Sequence, residues 1–290
     1  MELIENLLEP AVAAKPAIVC RQIKDADIEA VAALLCRGFP ERPANYWRNA
    51  MRQLRDREAP EGFPRYGFGI FDRGVPVGAL LLIASIGDDG HPRGNLSSWF
   101  VEAAYRGYSG MLQAMPFRWK NLTLFNISPA PNTIATIEAA GFRSYATGSF
   151  ISIAGFGPRG PRARIRRIPK EDPIANERLR RLVAAGCVAF EVETNGERLS
   201  FAFLPRRVKW NTLPGAQLAY CRSVDDFVAL ARPLGRRLLT MGFPIVTIDA
   251  TGGIDGLVGV FRAGQPKMFR GPHPPRLGDL GDSELALFGH

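Results

Sequence analysis

A short stretch rich in small residues could bind an anion, because it joins an apolar run to the start of a predicted helix. The apolar run is WFVEAAY, and the residues after it are Arg106, Gly107, Tyr108, Ser109, Gly110 and Met111. A helix N-terminus exposes unpaired backbone amides and carries a partial positive charge, which suits a phosphate. We therefore predict an anion site at the amides from Gly107 to Met111, with Arg106 adding charge. A plain turn between strand and helix is the alternative.

Polar residues on both sides of this stretch could take part in acid–base chemistry or binding. Glu102 ends the apolar run and is a candidate base, and His91 in the preceding loop titrates near neutral pH. Asn126 and Ser128 follow the next predicted strand, where α/β sheets tend to bind ligands, although both are also ordinary turn formers. The order Gly107-Tyr108-Ser109-Gly110 lacks the spacing of a Gly-x-Ser-x-Gly nucleophile elbow, which argues against a hydrolase.

The composition is that of a globular protein with a basic surface. The 290 residues are 46% hydrophobic and 22% charged, which allows a buried core and suggests two domains. The formal net charge is +9, which favours an anionic partner such as a nucleotide, a nucleic acid or an anionic lipid. The densest basic run, Arg159 to Arg167, has no interleaved aromatic residues, so we interpret it as a solvated linker that leads into a strand.

Other features bear on location and covalent chemistry. No apolar run is long enough to span a bilayer, and the first residues carry acids where a secretory leader carries Lys or Arg. A cytoplasmic protein is therefore expected. The four cysteines are far apart and show no CxxC spacing, which favours free buried thiols over disulfides or metal ligands. No metal site is expected.

The predicted elements follow one order twice. Residues 17–128 are predicted to form a strand, a helix, a strand hairpin, a strand, a helix and a strand. Residues 163–250 show the same order, and each pass has its own hairpin signal, Asp-Arg-Gly in the first and Asn-Gly in the second. Two pairs share a separation of 33 positions, namely Gly94 with Ile127 and Gly215 with Ile248. This agreement favours an internal duplication, with chance similarity of two α/β patterns as the alternative.

The first pass resembles the GNAT superfamily of acyl-coenzyme A-dependent N-acyltransferases. Residues 99–112, WFVEAAYRGYSGML, are similar to the family's strand, its Arg/Gln-x-x-Gly-x-Gly/Ala pyrophosphate loop and the following helix. Residues 132–145, NTIATIEAAGFRSY, are similar to its later helix, which ends in Gly-Phe before an antiparallel strand. The resemblance covers about residues 17 to 153 and extends more weakly to about residue 250.

The resemblance implies an α/β fold with a mixed α+β sheet, built from tandem GNAT-like repeats. We predict an acyl-CoA-binding domain over residues 1–157 and a degenerate GNAT-like domain over residues 158–290 that shapes the acceptor site. The second repeat has no glycine loop, and its helix starts with Asp225 and Asp226, which would repel a pyrophosphate. A second coenzyme site is therefore not expected, and residues 271–290 are expected to close over the acceptor pocket.

The resemblance also implies how acetyl-CoA or another acyl-CoA binds. In the family, the strands before and after the loop splay apart, and the pantetheine arm pairs with the exposed edge. A backbone N–H of Phe100 or Val101 would then face the thioester carbonyl and stabilise the oxyanion. The predicted coenzyme contacts are Phe100, Val101, Arg106, Gly107, Tyr108, Ser109, Gly110, Met111, Asn126 and Ser128.

One catalytic feature of the family is absent from its usual position. Ile137 stands where many members have the tyrosine that protonates the leaving thiolate. Tyr105, Tyr108 and Tyr145 are candidates to replace it. The residues predicted to act in catalysis are Glu102 and Tyr108.

The predicted function is transfer of an acyl group from acyl-CoA to a small amine by direct attack. A GNAT-like protein that binds acyl-CoA without turnover, as a sensor or scaffold, is the first alternative. It is motivated by Ile137, by the absence of an obvious base, and by Met111, which stands where the family's loop usually has a glycine or alanine. An aminoacyl-tRNA-dependent transferase is the second, and it depends on the basic run alone. We expect acyl-CoA and an amine as partners, rather than a nucleic acid or a membrane.

Overall fold

A computed structural model describes residues 17–43, 45–172, 175–208 and 212–288. The prediction about the first residues of the chain lies outside this part. No helix among the described residues is both long and apolar enough to cross a membrane.

The strands form one 12-stranded sheet, and helices pack on its faces. The strands are β1 (Ile18–Gln22), β2 (Gly67–Asp72), β3 (Val75–Ile86), β4 (Pro92–Val101), β5 (Thr123–Asn126), β6 (Arg143–Ile153), β7 (Arg164–Ile168), β8 (Val188–Thr194), β9 (Glu197–Val208), β10 (Leu213–Tyr220), β11 (Ile245–Ala250) and β12 (Gly259–Arg270). The α-helices are α1 (Ile28–Gly38), α2 (Tyr46–Asp56), α3 (Ser109–Ala114), α4 (Ile134–Ala139), α5 (Glu177–Ala184), α6 (Val224–Thr240) and α7 (Glu284–Phe288).

The sheet has the same order of strands when followed inward from either edge. The full order is β1-β2-β3-β4-β5-β12-β6-β11-β10-β9-β8-β7. From one edge, β1 to β4 pair antiparallel and β5 is parallel to β4. From the other, β7 to β10 pair antiparallel and β11 is parallel to β10. The predicted mixed α+β sheet with a repeated order of elements is therefore confirmed.

The two halves exchange their last strands at the centre of the sheet. β12, from the second half, pairs with β5, and β6, from the first half, pairs with β11. β6 and β12 also pair with each other. Each half thus completes the sheet of the other, and the predicted division into domains at residue 157 stays a prediction.

The two parallel pairs have matching registers. Gly94 pairs with Leu124 and Gly215 pairs with Ile245, so both pairs are 30 residues apart in sequence. A shift of 121 residues therefore places β4 and β5 on β10 and β11. The equal spacing in the sequence reflects this shared register.

Helices cover both faces of the sheet in each half. Val31, Leu34 and Leu35 of α1 are buried with α2 against β3, and α3 and α4 cover the opposite face. In the second half, α6 covers one face and α5 covers the other. Because β3 is buried on both faces, residues 77–84 form an uninterrupted apolar run instead of an alternating one.

Both predicted hairpin turns are confirmed. Arg73 and Gly74 have φ values of 50° and 86°, and Asn195 and Gly196 have values of 49° and 79°. Two successive positive φ values are typical of the type I′ turn, whose twist matches that of the flanking strands. The turns therefore set the pairing of β2 with β3 and of β8 with β9.

β12 is a strand that the sequence patterns do not predict. Its register with β6 shifts between Ala263 and Lys267, where Gly264 and Pro266 interrupt the strand. Proline cannot donate to a ladder and glycine weakens a strand, so both residues conceal the pattern. The strand forms because residues 259–263 still pair with β6 and residues 268–270 pair with β5.

Candidate active site

β4 and β5 pair over a short distance and then separate. The parallel ladder joins residues 93–95 to residues 123–125, whereas β4 continues to Val101. The Asn95 side chain lies where the strands part, and its Nδ2 donates to the Phe125 carbonyl at 3.2 Å. Beyond this point, no strand of the described residues pairs with the edge of β4 that faces β5. This opening is called the split below.

A bulge in β4 directs a backbone amide into the split. Ser98 has a φ of 57°, and the register with β3 shifts at this point. After the bulge, the Glu102 N–H donates to the Val77 carbonyl at 2.9 Å. Residues of an antiparallel pair alternate in their hydrogen bonding, so the Val101 N–H points away from β3 and towards the split.

The other amide predicted for the oxyanion, that of Phe100, has a different direction. By the same alternation, the Phe100 N–H points at β3. The Phe100 ring packs on α1, where a Cβ on Gly38 would lie 2.4 Å from the ring. Of the two predicted residues, Val101 is therefore the one whose amide faces the split.

A cavity of about 540 Å³ opens at the split. Leu96 and Trp99 of β4 belong to its apolar wall. Ser97 of β4 lines it from the polar side, together with Asn126 and Ser128 at the end of β5. Apolar cavities with a few convergent polar groups are the usual form of small-molecule sites. The structure thus places two predicted contacts, Asn126 and Ser128, in the wall of such a cavity.

One carboxylate inside the cavity, that of Glu284, has surroundings suited to acid–base chemistry. Ser128 Oγ donates to this carboxylate, and Ser97 also forms a hydrogen bond with it. The Glu284 N–H donates to Asn95 Oδ1 at 2.9 Å, which holds the first turn of α7 against the split. Burial raises the pKa of Glu284, and the serines and nearby cations oppose only part of this rise.

Buried ion pairs fix residues 271–288, called the anchor segment here, beside the split. The Asp279 side chain is 2% exposed and pairs with Arg93 of β4 at 2.8 Å. It also pairs with Arg178 of α5 at 2.6 Å and with Arg276 at 3.2 Å. The carboxylate of one residue thus ties the anchor segment to both halves of the sheet.

In the second half, the anchor segment occupies the edge that corresponds to the split. The Leu280 N–H donates to the Ala219 carbonyl at 2.8 Å, and the Cys221 N–H donates to the Gly278 carbonyl at 2.9 Å. β9 pairs with the other edge of β10, so the anchor segment lies on the edge facing β11. The chain itself therefore forms the hydrogen bonds that the equivalent edge of β4 leaves open.

A backbone amide at the start of α6 also has its hydrogen-bond partner within the chain. Ser223 Oγ accepts a hydrogen bond from the Asp226 N–H at 3.0 Å. Arg222 pairs with the Asp226 carboxylate at 2.8 Å. The expectation that this half has no coenzyme site stays a prediction.

The predicted anion-binding stretch lies on the surface after β4. A 3-10 helix, Ala103–Tyr108, precedes α3, so the α-helix starts at Ser109 and has six residues. The Ser109 N–H already donates to the Arg106 carbonyl. The space beside the Cα atoms of Gly107 and Gly110 is open. The helix start therefore differs from the simple strand–turn–helix expected, and the anion site at residues 107–111 stays a prediction.

The residues predicted to act in catalysis do not line the cavity. The Glu102 carboxylate pairs with Arg37 of α1 at 2.6 Å. Tyr108 is half-buried against the core of the first half. Their catalytic roles stay predictions, and Glu284 is a carboxylate that does line the cavity.

The remaining candidate acids and bases have other surroundings. The Tyr105 hydroxyl donates to Asp72 at 2.8 Å, and His91 stacks on a second histidine with 3.5 Å between ring centroids. Burial raises the pKa of Tyr145 well above its usual value, and the charge of Asp249 adds to the rise. Tyr145 therefore keeps its proton at neutral pH.

A polar network on the second-half strands forms the far wall of the cavity. Arg206 of β9 donates to Gln217 of β10, and Gln217 Nε2 donates to Asp249 Oδ1 of β11 at 3.1 Å. Lys267 Nζ of β12 lies 2.9 Å from Asp249 Oδ2. All four side chains line the cavity. Both halves of the chain therefore build it.

Neither Glu284 nor this network was among the residues predicted from the sequence. Two signals were present: a carboxylate lies near the end of the apolar strand IVTIDA, and an amide interrupts GAQLAY. Buried polar side chains of this kind need partners, so they point to a polar site on the sheet. The partners themselves come from distant parts of the chain.

The basic run that suggested a nucleic-acid partner is partly neutralised. Arg166 pairs with both Asp172 and Glu191. Residues 164–168 form β7 at the edge of the sheet, where charged side chains discourage pairing with other chains. The run leads into a strand, as the sequence predicts.

Comparisons with known proteins bear on the fold. No family model matches the chain, and no curated protein matches its sequence. A GCN5-related N-acetyltransferase from Anabaena variabilis is similar in structure, with a TM-score of 0.57 and 10% identity over 87% of this chain and 72% of that one. The fold is that of the GCN5-related N-acetyltransferases. A conserved Enterococcus faecalis protein of unknown function, described as a probable N-acyltransferase, has a TM-score of 0.54 and 11% identity over 91% of this chain and 73% of its own.

The GNAT fold accounts for the repeated order of strands and for the parallel pair that parts in the first half. At identities of 10% and 11%, the likeness establishes the fold. The chemistry of this GNAT-like chain must therefore be derived from its own cavity.

Proposed function

We propose that the protein transfers an acyl group from acyl-CoA to an amine by direct attack on the thioester. The observation that carries this proposal is the split, which opens into a cavity holding the Glu284 carboxylate. A free strand edge, an amide donor for the oxyanion and a desolvated base together meet the needs of acyl transfer.

The coenzyme is proposed to lie along β4. Its pantetheine amides would extend the sheet by pairing with the free edge, as an added strand does. The thioester carbonyl would then accept a hydrogen bond from the Val101 N–H. Asn126 and Ser128 line the cavity on the side of β5. The pyrophosphate would lie against residues 107–111, with Arg106 as the nearby cation.

Glu284 is proposed as the general base. An amine that carries a proton cannot attack, so the Glu284 carboxylate first accepts that proton. The amine nitrogen then bonds to the thioester carbon, and the Val101 N–H stabilises the negative charge that develops on the carbonyl oxygen. The carbon–sulfur bond breaks as the amide forms, the nitrogen releases its second proton to solvent, and protonated Glu284 returns a proton to the thiolate. Amine and thioester thus become amide and thiol.

A coupled assay of thiol release tests the proposal. The protein is mixed with acetyl-CoA and a panel of primary amines, and free coenzyme A is measured against a reaction without amine. Acetylated product with an equal amount of released thiol supports transfer. Binding of acetyl-CoA without product from any amine would instead support the alternative of a GNAT-like protein without turnover.

Arg106→Glu is expected to weaken acetyl-CoA binding by roughly tenfold or more. The variant places a carboxylate beside the proposed pyrophosphate, where attraction becomes repulsion. Calorimetric titration with acetyl-CoA measures the change. Arg180→Glu on α5, where the side chain is exposed, is the control for net charge and should bind as the unmodified protein does. Equal affinity of all three proteins would contradict the proposed location of the pyrophosphate.

A further inference from the structure

Arg206 brings a positive charge to the cavity, and no carboxylate of the described residues forms an ion pair with it. Its side chain is half-buried, and Nη1 donates to the neutral amide of Gln217. Its Nε is buried and has no hydrogen-bond partner among the described residues. Burial lowers the pKa of Arg206, which reflects the loss of solvent around the guanidinium.

The nearest carboxylate is already engaged. Asp249 accepts a hydrogen bond from Gln217 and pairs with Lys267 at 2.9 Å. One carboxylate thus faces two cations, and it forms its ion pair with Lys267 and not with Arg206. A half-buried cation without an ion-pair partner is unfavourable by itself and favours binding of an anion. The guanidinium is suited to a carboxylate or a phosphate because its donors match their oxygens in pairs.

Arg206 and Gln217 are well separated from the split along the sheet. β10, which holds Gln217, is four strands from β5 in the order of the sheet. Neighbouring strands lie about 4.8 Å apart, so the two ends of the cavity are separated by up to roughly 19 Å. An extended chain covers about 3.5 Å per residue, so roughly three to five residues would bridge most of this distance.

We propose that the acceptor is an elongated amine with a carboxylate or phosphate at its other end, and that Arg206 binds this anion. The inference depends on the proposed acyl transfer, with the amine near Glu284 and the anion at Arg206. Gln217, Asp249 and Lys267 lie between these ends and offer hydrogen bonds to polar groups along the acceptor.

The length and charge of the acceptor are tested with oligoglycines. Glycine to pentaglycine are compared with their C-terminal amides as acceptors of acetyl groups. We expect kcat/KM to be highest for three to five residues, and to be roughly 10- to 100-fold higher for the acids than for the amides. An aminohexyl phosphate compared with aminohexanol shows whether a phosphate serves as well as a carboxylate.

Arg206→Met tests the assigned residue, because it keeps much of the side-chain length without the charge. The variant should acetylate acids and amides equally, while its affinity for acetyl-CoA stays that of the unmodified protein. Arg207→Met, at the adjacent exposed position, is the matched control and should keep the preference for acids. Thermal unfolding of both variants shows whether the fold is intact, and Arg206→Lys should restore part of the preference.

Binding of N-acetyl-triglycine, a product analogue, separates this inference from the proposed function. Calorimetry should detect its binding to the unmodified protein and a roughly 10- to 100-fold loss in Arg206→Met. This result without any acetyl transfer would keep the anion site and overturn the proposed function. Acetyl transfer with equal use of acids and amides would overturn the anion site and keep the proposed function.

Discussion

Glu284→Gln is expected to lower kcat by about 10²- to 10⁴-fold, the usual contribution of a general base. Glutamine keeps the shape of the side chain and its hydrogen bonds to Ser97 and Ser128, but it cannot accept a proton from the amine. The affinity for acetyl-CoA should change little, because the substitution leaves the free edge of β4 intact. Steady-state thiol release and calorimetry measure the two quantities.

The pH dependence of the reaction should carry the signature of this carboxylate. Burial raises the pKa of Glu284, so kcat should rise with pH through a midpoint above the ordinary range for glutamate. Between the ordinary and the raised pKa, the folded state binds more protons than the unfolded state, so stability falls as pH rises. Because glutamine does not ionise, Glu284→Gln should be at least as stable as the unmodified protein above this window. If Glu284→Gln loses activity but keeps its stability, the role of Glu284 is chemical and not structural.

Glu102→Gln decides between the two candidate carboxylates. Glu102 pairs with Arg37 on the surface, and its side chain does not line the cavity. We therefore expect a much smaller loss of kcat than for Glu284→Gln. A large loss of kcat in Glu102→Gln with full activity in Glu284→Gln would show that Glu102, the base predicted from the sequence, is the general base.

Asp279→Asn is expected to lower the free energy of unfolding by about 3–5 kcal/mol, as when one member of a buried ion pair is removed. The substitution leaves Arg93 and Arg178 without their shared carboxylate in a site where Asp279 is 2% exposed. It should also lower kcat, because the anchor segment positions Glu284. Urea unfolding followed by circular dichroism measures the stability.

Asp88→Asn is the matched control for this prediction. Asp88 contacts Arg178 at 2.5 Å and Arg276 at 2.7 Å, but its side chain is 37% exposed. Exposed ion pairs contribute up to about 1 kcal/mol, so this variant should lose much less stability. Equal losses of stability in both variants would show that the buried ion pairs of Asp279 do not hold the anchor segment in place.

Local patterns were sufficient to predict most of the first-half and second-half elements. Helical spacing marks α1, and the turn residues Gly74 and Gly196 mark the two hairpins, because both signals depend on neighbouring residues only. The exchange of β6 and β12 could not be predicted in this way. Which strand lies beside β5 depends on long-range pairing, and Pro266 conceals the pattern of β12.

The site was predictable in part. Val101, Asn126 and Ser128 were named from their position at the ends of strands, and the structure places all three at the split or in the cavity. Glu284 meets Ser128 across 156 residues of sequence, and Arg206 reaches the cavity from the other half. Such contacts depend on where the anchor segment and β9 lie, which no local pattern determines.

Calorimetric titration with acetyl-CoA tests most directly whether the split binds the coenzyme. One half keeps an open strand edge, and in the other the anchor segment fills the equivalent edge. We therefore expect saturable binding with one molecule of acetyl-CoA per chain. No binding, or two equivalent molecules per chain, would contradict it.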